Sequence, residues 1–329
     1  MKNLHMMSLR RALCLLIACA VGGPVLAQDF PTQTVRIVVP YAPGGGSDIL
    51  ARPMAPELTE RFKQAVVIEN KGGAAGNIGT QSTAHAVADG HTLLMANNAQ
   101  LINPFIYKNA GYDFAADFTP ISLVATSPLI VVVHKSFPAT TLAQLVEHAR
   151  KNPGKLNFGS PGVGTPGHLA PLLFNKQAKL DLVHIAYKGS GPTTTAMLAK
   201  EVEVSFSTPA AVEPHIRSGE LRALAVTARE RFPAFADVPT IAESGLPGLA
   251  DFNMEIWWGL LAPAKTDPRV LDKLHAAVTA VVRDPKLQQR WLAQGMVPRP
   301  TTRAEFAALI KADLLKWERV VKDNAISAE

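Results

Sequence analysis

Six times along this chain a short apolar run ends in a turn rich in glycine, serine, threonine or asparagine, then passes into a helical pattern. Val35 to Val39 leads into PYAPGGGSD, Val66-Val67-Ile68 into ENKGGAAGNIGTQ, and Thr92 to Met95 into ANNAQLINP. Leu156 to Phe158 leads into GSPGVGTPGHL, Val183 to Tyr187 into KGSGPTTTAML, and Val202 to Phe206 into STPAAVEPHI. This alternation predicts an α/β fold with mostly parallel strands. In such sheets ligands lie beyond the carboxyl ends of the strands, where these turns fall. Each helix start there leaves backbone N–H groups without intrahelical partners, and glycine lets a ligand approach them. A tight corner explains any one of these turns, but 43–48 and 159–167 hold more glycine than a corner needs.

The remaining elements read as supports. Leu221 to Val226 is a further strand, followed by a proline-rich connection from Phe232 to Gly248. Phe252 to Ala262 (FNMEIWWGLLA) reads as a strand with aromatic anchors. Asp267-Pro268 supplies a cap and a first-position proline. Thr302 with Glu305 forms a capping box that opens a last helix of about five turns. Leu309, Leu314, Leu315 and Val320 are expected on one face of it. These C-terminal helices must pack on a sheet built earlier. Pro53 and Pro56 fall inside the helix expected after Asp48, which predicts an irregular helix or a later start.

The chain has 329 residues and 18% charge, which suits two domains of ordinary size. Its first 27 residues read as an export signal: basic Lys2, Arg10 and Arg11, an apolar Ala12 to Val21, and a small-residue cleavage site at Val25-Leu26-Ala27. No later stretch approaches the ~18 apolar residues of a membrane span, so a soluble periplasmic chain beginning at Gln28 is expected. Leu16-Ile17-Ala18-Cys19 resembles a lipobox, and a lipid-anchored Cys19 is the alternative. Cys14 and Cys19 both lie in the signal, so disulfides, thiol nucleophiles and cysteine metal ligands are excluded after cleavage at Ala27. Losing Lys2, Arg10 and Arg11 lowers the formal charge from +6 to +3, with the remaining basic residues scattered, so nucleic acid is not an expected partner.

Most catalytic signatures are missing. Gly162 to Gly167 satisfies GxGxxG, but Asp181 precedes its strand and Pro166 interrupts the loop, so a dinucleotide site is disfavoured. There is no GxxxxGK[ST], and Ser160 sits in FGSPG and not in GxSxG. The nine histidines show no HExxH or metal-ligand spacing; His134, His148, His168, His184 and His215 read as surface or satisfied core residues. No metal and no cofactor is expected. What remains is anion binding by main-chain amides at helix starts. Each hydrogen bond to a charged group contributes roughly 1.5–3 kcal/mol, and the helix dipole adds ~0.3–1. Neither 41–48 nor 158–168 contains lysine or arginine. Such a cradle binds an anion without the grip of a bidentate arginine, which suits release.

YAPGGGSD, GGAAGNIG, DGHTLLM, INP, NFGSPGVGTPGHL, YKGSGP, LRALAVT, VPTIAESGLPG and WWGLLAPA occur in that order. Together they resemble the tripartite tricarboxylate transporter receptor family, the Bug-type periplasmic solute-binding proteins, from about Phe30 to the last helix. The resemblance implies an α/β, two-lobed Venus-flytrap fold of periplasmic binding type II, each lobe a mostly parallel sheet flanked by helices. It divides the chain into 28–133 plus 228–329 and 134–227, with a small organic carboxylate held in the cleft between them. It also implies integral-membrane permease subunits as partners; a monomer is expected.

The family's carboxylate loops match Tyr41 to Asp48 and Ser160 to Thr165. The expected ligand groups are the amides of Gly45, Gly46 and Ser47, with the Ser47 hydroxyl, and Asp48 shaping the turn. From the second loop come Ser160, Gly162, Gly164 and Thr165. Gly76, Asn77, Asn98, Tyr187, Gly189 and Ser207 are weaker candidates for specificity. Asp48 and His168 also have plain structural readings at helix starts. Ser207 stands where many members carry aspartate, which predicts a non-amino acid ligand such as a dicarboxylate or an aromatic acid. His91 replaces a common tyrosine and is read as neutral. An exported hydrolase or a ligand sensor using the same cleft is the alternative function.

Overall fold

The computed structural model describes residues 30–324, 326 and 327, and Gln33–Glu329 form one compact unit. The expected signal peptide and the Cys19 lipobox lie outside the described residues. Two sheets organise the unit. The first contains β1 (Val35–Val39), β2 (Val66–Asn70), β3 (Thr92–Asn97), β4 (Phe118–Pro128), β10 (Glu255–Pro263) and β11 (Val297–Pro298), in the order β11-β4-β10-β3-β1-β2. The second contains β5 (Ile130–His134), β6 (Asn157–Ser160), β7 (Val183–Ala186), β8 (Val204–Ser207) and β9 (Leu221–Val226), ordered β7-β6-β8-β5-β9.

All six predicted strand-turn-helix units are present. In the first sheet β1 leads to α1 (Gly46–Phe62), β2 to α2 (Asn77–Ala84) through a 3-10 turn at Ala74–Gly76, and β3 to α3 (Asn98–Ile106). After the short α4 (Phe114–Asp117) and α5 (Leu142–Lys151), the second sheet adds three more units. There β6 leads to α6 (Pro166–Ala178), β7 to α7 (Ser190–Leu198), and β8 to α8 (Pro209–Arg217). Ile37, Val38 and Val39 are all buried, as expected for a strand covered on both faces.

The sheets are mixed, which corrects the expectation of mostly parallel pairing. Strand β1 runs parallel to β2 and β3, and β6 runs parallel to β7 and β8. The pairs β10–β3, β10–β4, β11–β4, β5–β8 and β5–β9 are antiparallel. A helical crossover that returns to its own sheet produces a parallel neighbour. Strands β4 and β5 follow one another with only Leu129 between them and pass from sheet to sheet, so no such crossover sets their direction. The whole of β5 therefore sits in the second sheet, and the chain passes from one sheet to the other at Leu129.

Thr227 ties the crossing segments together. Its hydroxyl accepts from Leu129 N at 2.8 Å and donates to Met254 O at 2.6 Å. Its backbone N–H donates to Leu129 O at 2.9 Å, and its carbonyl accepts from Met254 N at 3.0 Å. Three chain segments meet on one buried residue.

The C-terminal helices α9 (Pro268–Val282), α10 (Pro285–Leu292) and α11 (Arg303–Asp323) pack against α1 and β4, as expected. The Asp267 cap and the Thr302–Glu305 box are both formed. Gly259 leaves room for the Phe306 ring to lie against β10. The buried stripe of α11 is Phe306, Ile310, Trp317, Val320 and Val321, whereas Leu315 is 64% exposed. Leu315 falls off the i, i+4, i+7 row that faces the sheet, which corrects that part of the expected face.

Helix α1 starts at Gly46 and runs unbroken through Pro53 and Pro56, neither late nor interrupted. An interior proline costs about 3 kcal/mol or more. Burial of Leu50, Ala51, Pro53, Met54 and Leu58 against the sheet offsets that cost.

Candidate functional site

Helix starts divide into two groups. Helices α4, α5, α9, α10 and α11 are capped by the side chains of Asp113, Thr141, Asp267, Asp284 and Thr302. Of the six that follow a strand's carboxyl end, only α3 has such a cap, from Asn97. Gly45, Gly76, Thr165, Gly189 and Thr208 make no side-chain cap for α1, α2, α6, α7 and α8. The helix starts left uncapped are those where ligands of open α/β sheets sit.

The start of α1 is the most open. The first amides that turn back are those of Asp48 and Ile49, both to Gly45 O at 2.9 Å. The N–H groups of Gly45, Gly46 and Ser47 donate to no group among the described residues. The Ser47 hydroxyl is buried and also has no partner among them. A Cβ on Gly46 would lie 2.7 Å from Trp258 Cζ2 and 3.3 Å from Met296 Cε, so only glycine fits there.

Asp48 shapes this loop, as expected. It accepts from Gly44 N at 3.0 Å, Arg52 Nε at 3.1 Å, Arg52 Nη2 at 2.6 Å and Asn70 Nδ2 at 3.0 Å. Burial opposes its charge, but Arg52, Gly44 and Asn70 together hold its carboxyl below the usual range. Asn70 Nδ2 also reaches Tyr41 O at 3.2 Å, so one clip anchors both ends of the turn.

The second loop is different. Gly162 N donates to Ser160 Oγ at 3.2 Å, Gly164 N to His168 Nδ1 at 3.2 Å, and the Thr165 hydroxyl to Gly162 O at 2.7 Å. Ser160 Oγ also lies 2.6 Å from His184 Nε2. The expected amides of Gly162 and Gly164 are thus engaged within the loop, and those of Val163 and Gly167 have no partner among the described residues. Below the loop His168 and His184 stack with ring centroids 3.9 Å apart, and Phe158 stacks on His184 at 4.9 Å. Burial, with His184 adding to it, lowers the His168 pKa to about 3, and burial lowers His184 to about 4. Both imidazoles are neutral. Sequence reasoning gives these histidines only a bland role and misses the stack; the signal is the cross-strand register Phe158↔His184.

Contacts at two ends bring the sheets' turns towards each other. A Cβ on Gly164 would meet Ile106 Cδ1 at 3.1 Å and Asn103 Oδ1 at 3.6 Å, so the second loop lies against α3. Gly295, next to the Met296 that touches Gly46, packs on Pro209 at the start of α8. Between these contacts runs a polar wall. Gln100 Nε2 donates to Tyr41 Oη at 2.7 Å, Asn103 Nδ2 to Asn77 Oδ1 at 2.7 Å and Ala75 O at 3.0 Å, and Tyr112 Oη to Asn77 Oδ1 at 3.1 Å. Asn103 Oδ1 is buried without a partner among the described residues. Sequence reasoning misses Asn103 as a site residue although it stands in the INP motif.

The weaker candidates scatter. Gly76 and Asn77 stay at the wall, Gly76 packing closely on Gln100 and Pro40. Gly189 has open space around it. The Ser207 hydroxyl pairs with Ser205 at 2.8 Å, and the Tyr187 phenol points to Glu201 at 3.5 Å. Asn98 lies apart from these. Its amide accepts from Trp257 N at 2.8 Å and donates to Asp313 Oδ2 at 3.3 Å, so its side chain serves the region under α11 and not the turns.

Residues 50–326 match the model of the tripartite tricarboxylate transporter family receptor. Protein BugT of Bordetella pertussis is 32% identical over 324 residues, 98% of each chain. Among solved structures, R. palustris Rpa4515 with adipate superposes with a TM-score of 0.81 at 33% identity, covering 91% of this chain and 99% of that one. MatC from Rhodopseudomonas palustris with bound malate gives 0.76 at 32%, covering 89% and 100%.

Proposed function

This chain belongs to the tripartite tricarboxylate transporter receptor family, a periplasmic solute-binding family, and from that premise we propose that it captures a small organic carboxylate between its two lobes and hands it to a membrane permease. The observation that carries the reading is the open start of α1, where three amides have no partner among the described residues and no lysine or arginine lies within 41–48. The Val163 amide, also without a partner among the described residues, is a donor offered by the second loop. In this reading residues 30–128 with 228–324 make one lobe and 129–227 the other, with Thr227 at their hinge. Adipate in Rpa4515 and malate in MatC support a di-acid ligand for this chain also. Ser207, bonded to Ser205, offers no charge for a ligand ammonium, which favours a non-amino acid ligand.

The protein is a receptor and not an enzyme. Ser160 and His184 stand at nucleophile–base distance, but Ser160 is fully buried and no carboxylate among the described residues orients His184. It is exported by a signal cleaved after Ala27, and works as a monomer with integral-membrane subunits.

A thermal-shift screen over mono-, di- and tricarboxylates tests this. A ligand at 100 times its Kd stabilises the fold by ~2.7 kcal/mol. Scattering is expected to show a more compact bound form, and the ligand is recovered unchanged. Formation of product, or no shift with any carboxylate, overturns the receptor reading. Tight aspartate or glutamate binding with citrate, succinate and nicotinate inactive overturns the non-amino preference.

A further inference from the structure

A hollow of about 450 Å³ lies under α11, lined by the first sheet, its helices and the connecting segments at Asn253 and 299–301. Its wall carries Glu255, Asp313, Lys316 and Arg299. Among the described residues, no ion pair within 4.0 Å joins any two of these four groups. Asp313 is held in place by Trp257 Nε1 at 2.7 Å and by Asn98 Nδ2 at 3.3 Å. The Lys316 ammonium makes one hydrogen bond, to Asn253 O at 3.1 Å, and lies 4.8 Å above the Trp317 ring, so it keeps donors to spare.

Two polar atoms on this wall are left over. Trp317 is 1% exposed, and its indole N–H, close to Asp313, completes no hydrogen bond among the described residues. Asn253 Oδ1 is likewise buried without a partner. The wall therefore offers spare donors and spare acceptors; it carries three acids and two bases, and with Glu305 taken up by the Thr302 cap the remaining two acids face two bases. Taking charges out of water costs several kcal/mol per ion unless partners replace the water. Burial raises the Asp313 and Glu255 pKa values and lowers that of Lys316, so each charge lacks full compensation from the protein. A simple anion or cation would satisfy only half of this wall. A molecule bearing both charges satisfies all of it.

We propose that this hollow is a second ligand site, distinct from the cleft, for a small zwitterion of amino-acid size, its ammonium received by Asp313 and Glu255 and its carboxylate by Lys316 and Arg299. Asn98 is then a positioning residue, holding Asp313 from the start of α3.

Calorimetric titration of the full chain with L-alanine and L-glutamine tests the assignment, with propionate and ethylamine as the two half-molecules. Binding of at least one amino acid is expected, with both half-molecules at least tenfold weaker. Arg299→Met, at an exposed position that the fold tolerates, and Lys316→Met are each expected to weaken amino-acid binding at least tenfold. Arg299→Met should leave carboxylate-induced thermal shifts unchanged. No amino-acid binding to the wild type, equal binding by a half-molecule, or affinity unchanged in both variants overturns the proposal.

Discussion

Asp48 accepts four hydrogen bonds from three residues and holds the Tyr41–Gly44 turn open. Asp48→Ala leaves the Gly44 N–H and one of the two Asn70 Nδ2 hydrogens unpaired beside a buried position, a loss of about 1–3 kcal/mol. Because the folded carboxyl sits below its unfolded value, near 3.9, this contribution is present above about pH 4 and is lost as pH falls further. Urea midpoints at pH 7 and pH 3 should therefore differ less in the variant than in the wild type. The histidine stack titrates in another window. Unfolded His168 takes up a proton near pH 6.5, whereas the folded ring does so at about 3. The unfolded chain holds more protons between those values, so stability falls as pH drops from 6.5, by up to about 1.4 kcal/mol per unit for one histidine. His168→Gln should reduce that slope by one proton; an unchanged slope rules the residue out as its source.

Helix α1 shows how an element is adapted to leave its end unfinished. Gly45 has φ −80 and ψ 171, and a Cβ there would meet nothing nearer than Ala42 O at 3.9 Å. Gly45→Pro therefore fits the backbone, whose φ lies near the proline value, and deletes one N–H. The expected result is a folded protein whose carboxylate affinity falls about tenfold to a hundredfold, as for one hydrogen bond to a charged group. Unchanged affinity in a titration would remove this amide from the site. These open starts are legible in the sequence, because glycine turns after β-branched runs are local patterns. Capped starts at Asp267 and Thr302 are legible for the same reason. The face a helix presents is read less well, as exposed Leu315 shows, since it depends on where the sheet lies.

For the whole molecule the proposed hinge can be tested at Thr227. Thr227→Val keeps shape but strands Leu129 N–H and Met254 C=O in a buried place, which should cost about 1–3 kcal/mol in urea unfolding. The same change is expected to shift carboxylate affinity, because the bound form depends on how the segments at Thr227 bend; an unaltered affinity would separate the hinge from binding. The pattern of six strand-turn-helix units, the glycine-rich turn at 43–48 proposed to bind an anion and the likeness to a receptor family all came from the order of residues alone. Each rests on interactions between near neighbours, whose sterics and hydrogen bonding are written locally. Only the tertiary structure decided that β4, β5, β9 and β10 run antiparallel as they pass between sheets. It alone separated Asn98 from Asn103, five positions apart in ANNAQLINP, sending one under α11 and the other to the wall facing Gly164. It alone gathered Glu255, Arg299, Asp313 and Lys316 around one hollow. Such choices follow from packing between surfaces far apart along the chain, and no local pattern encodes which surface a side chain will meet.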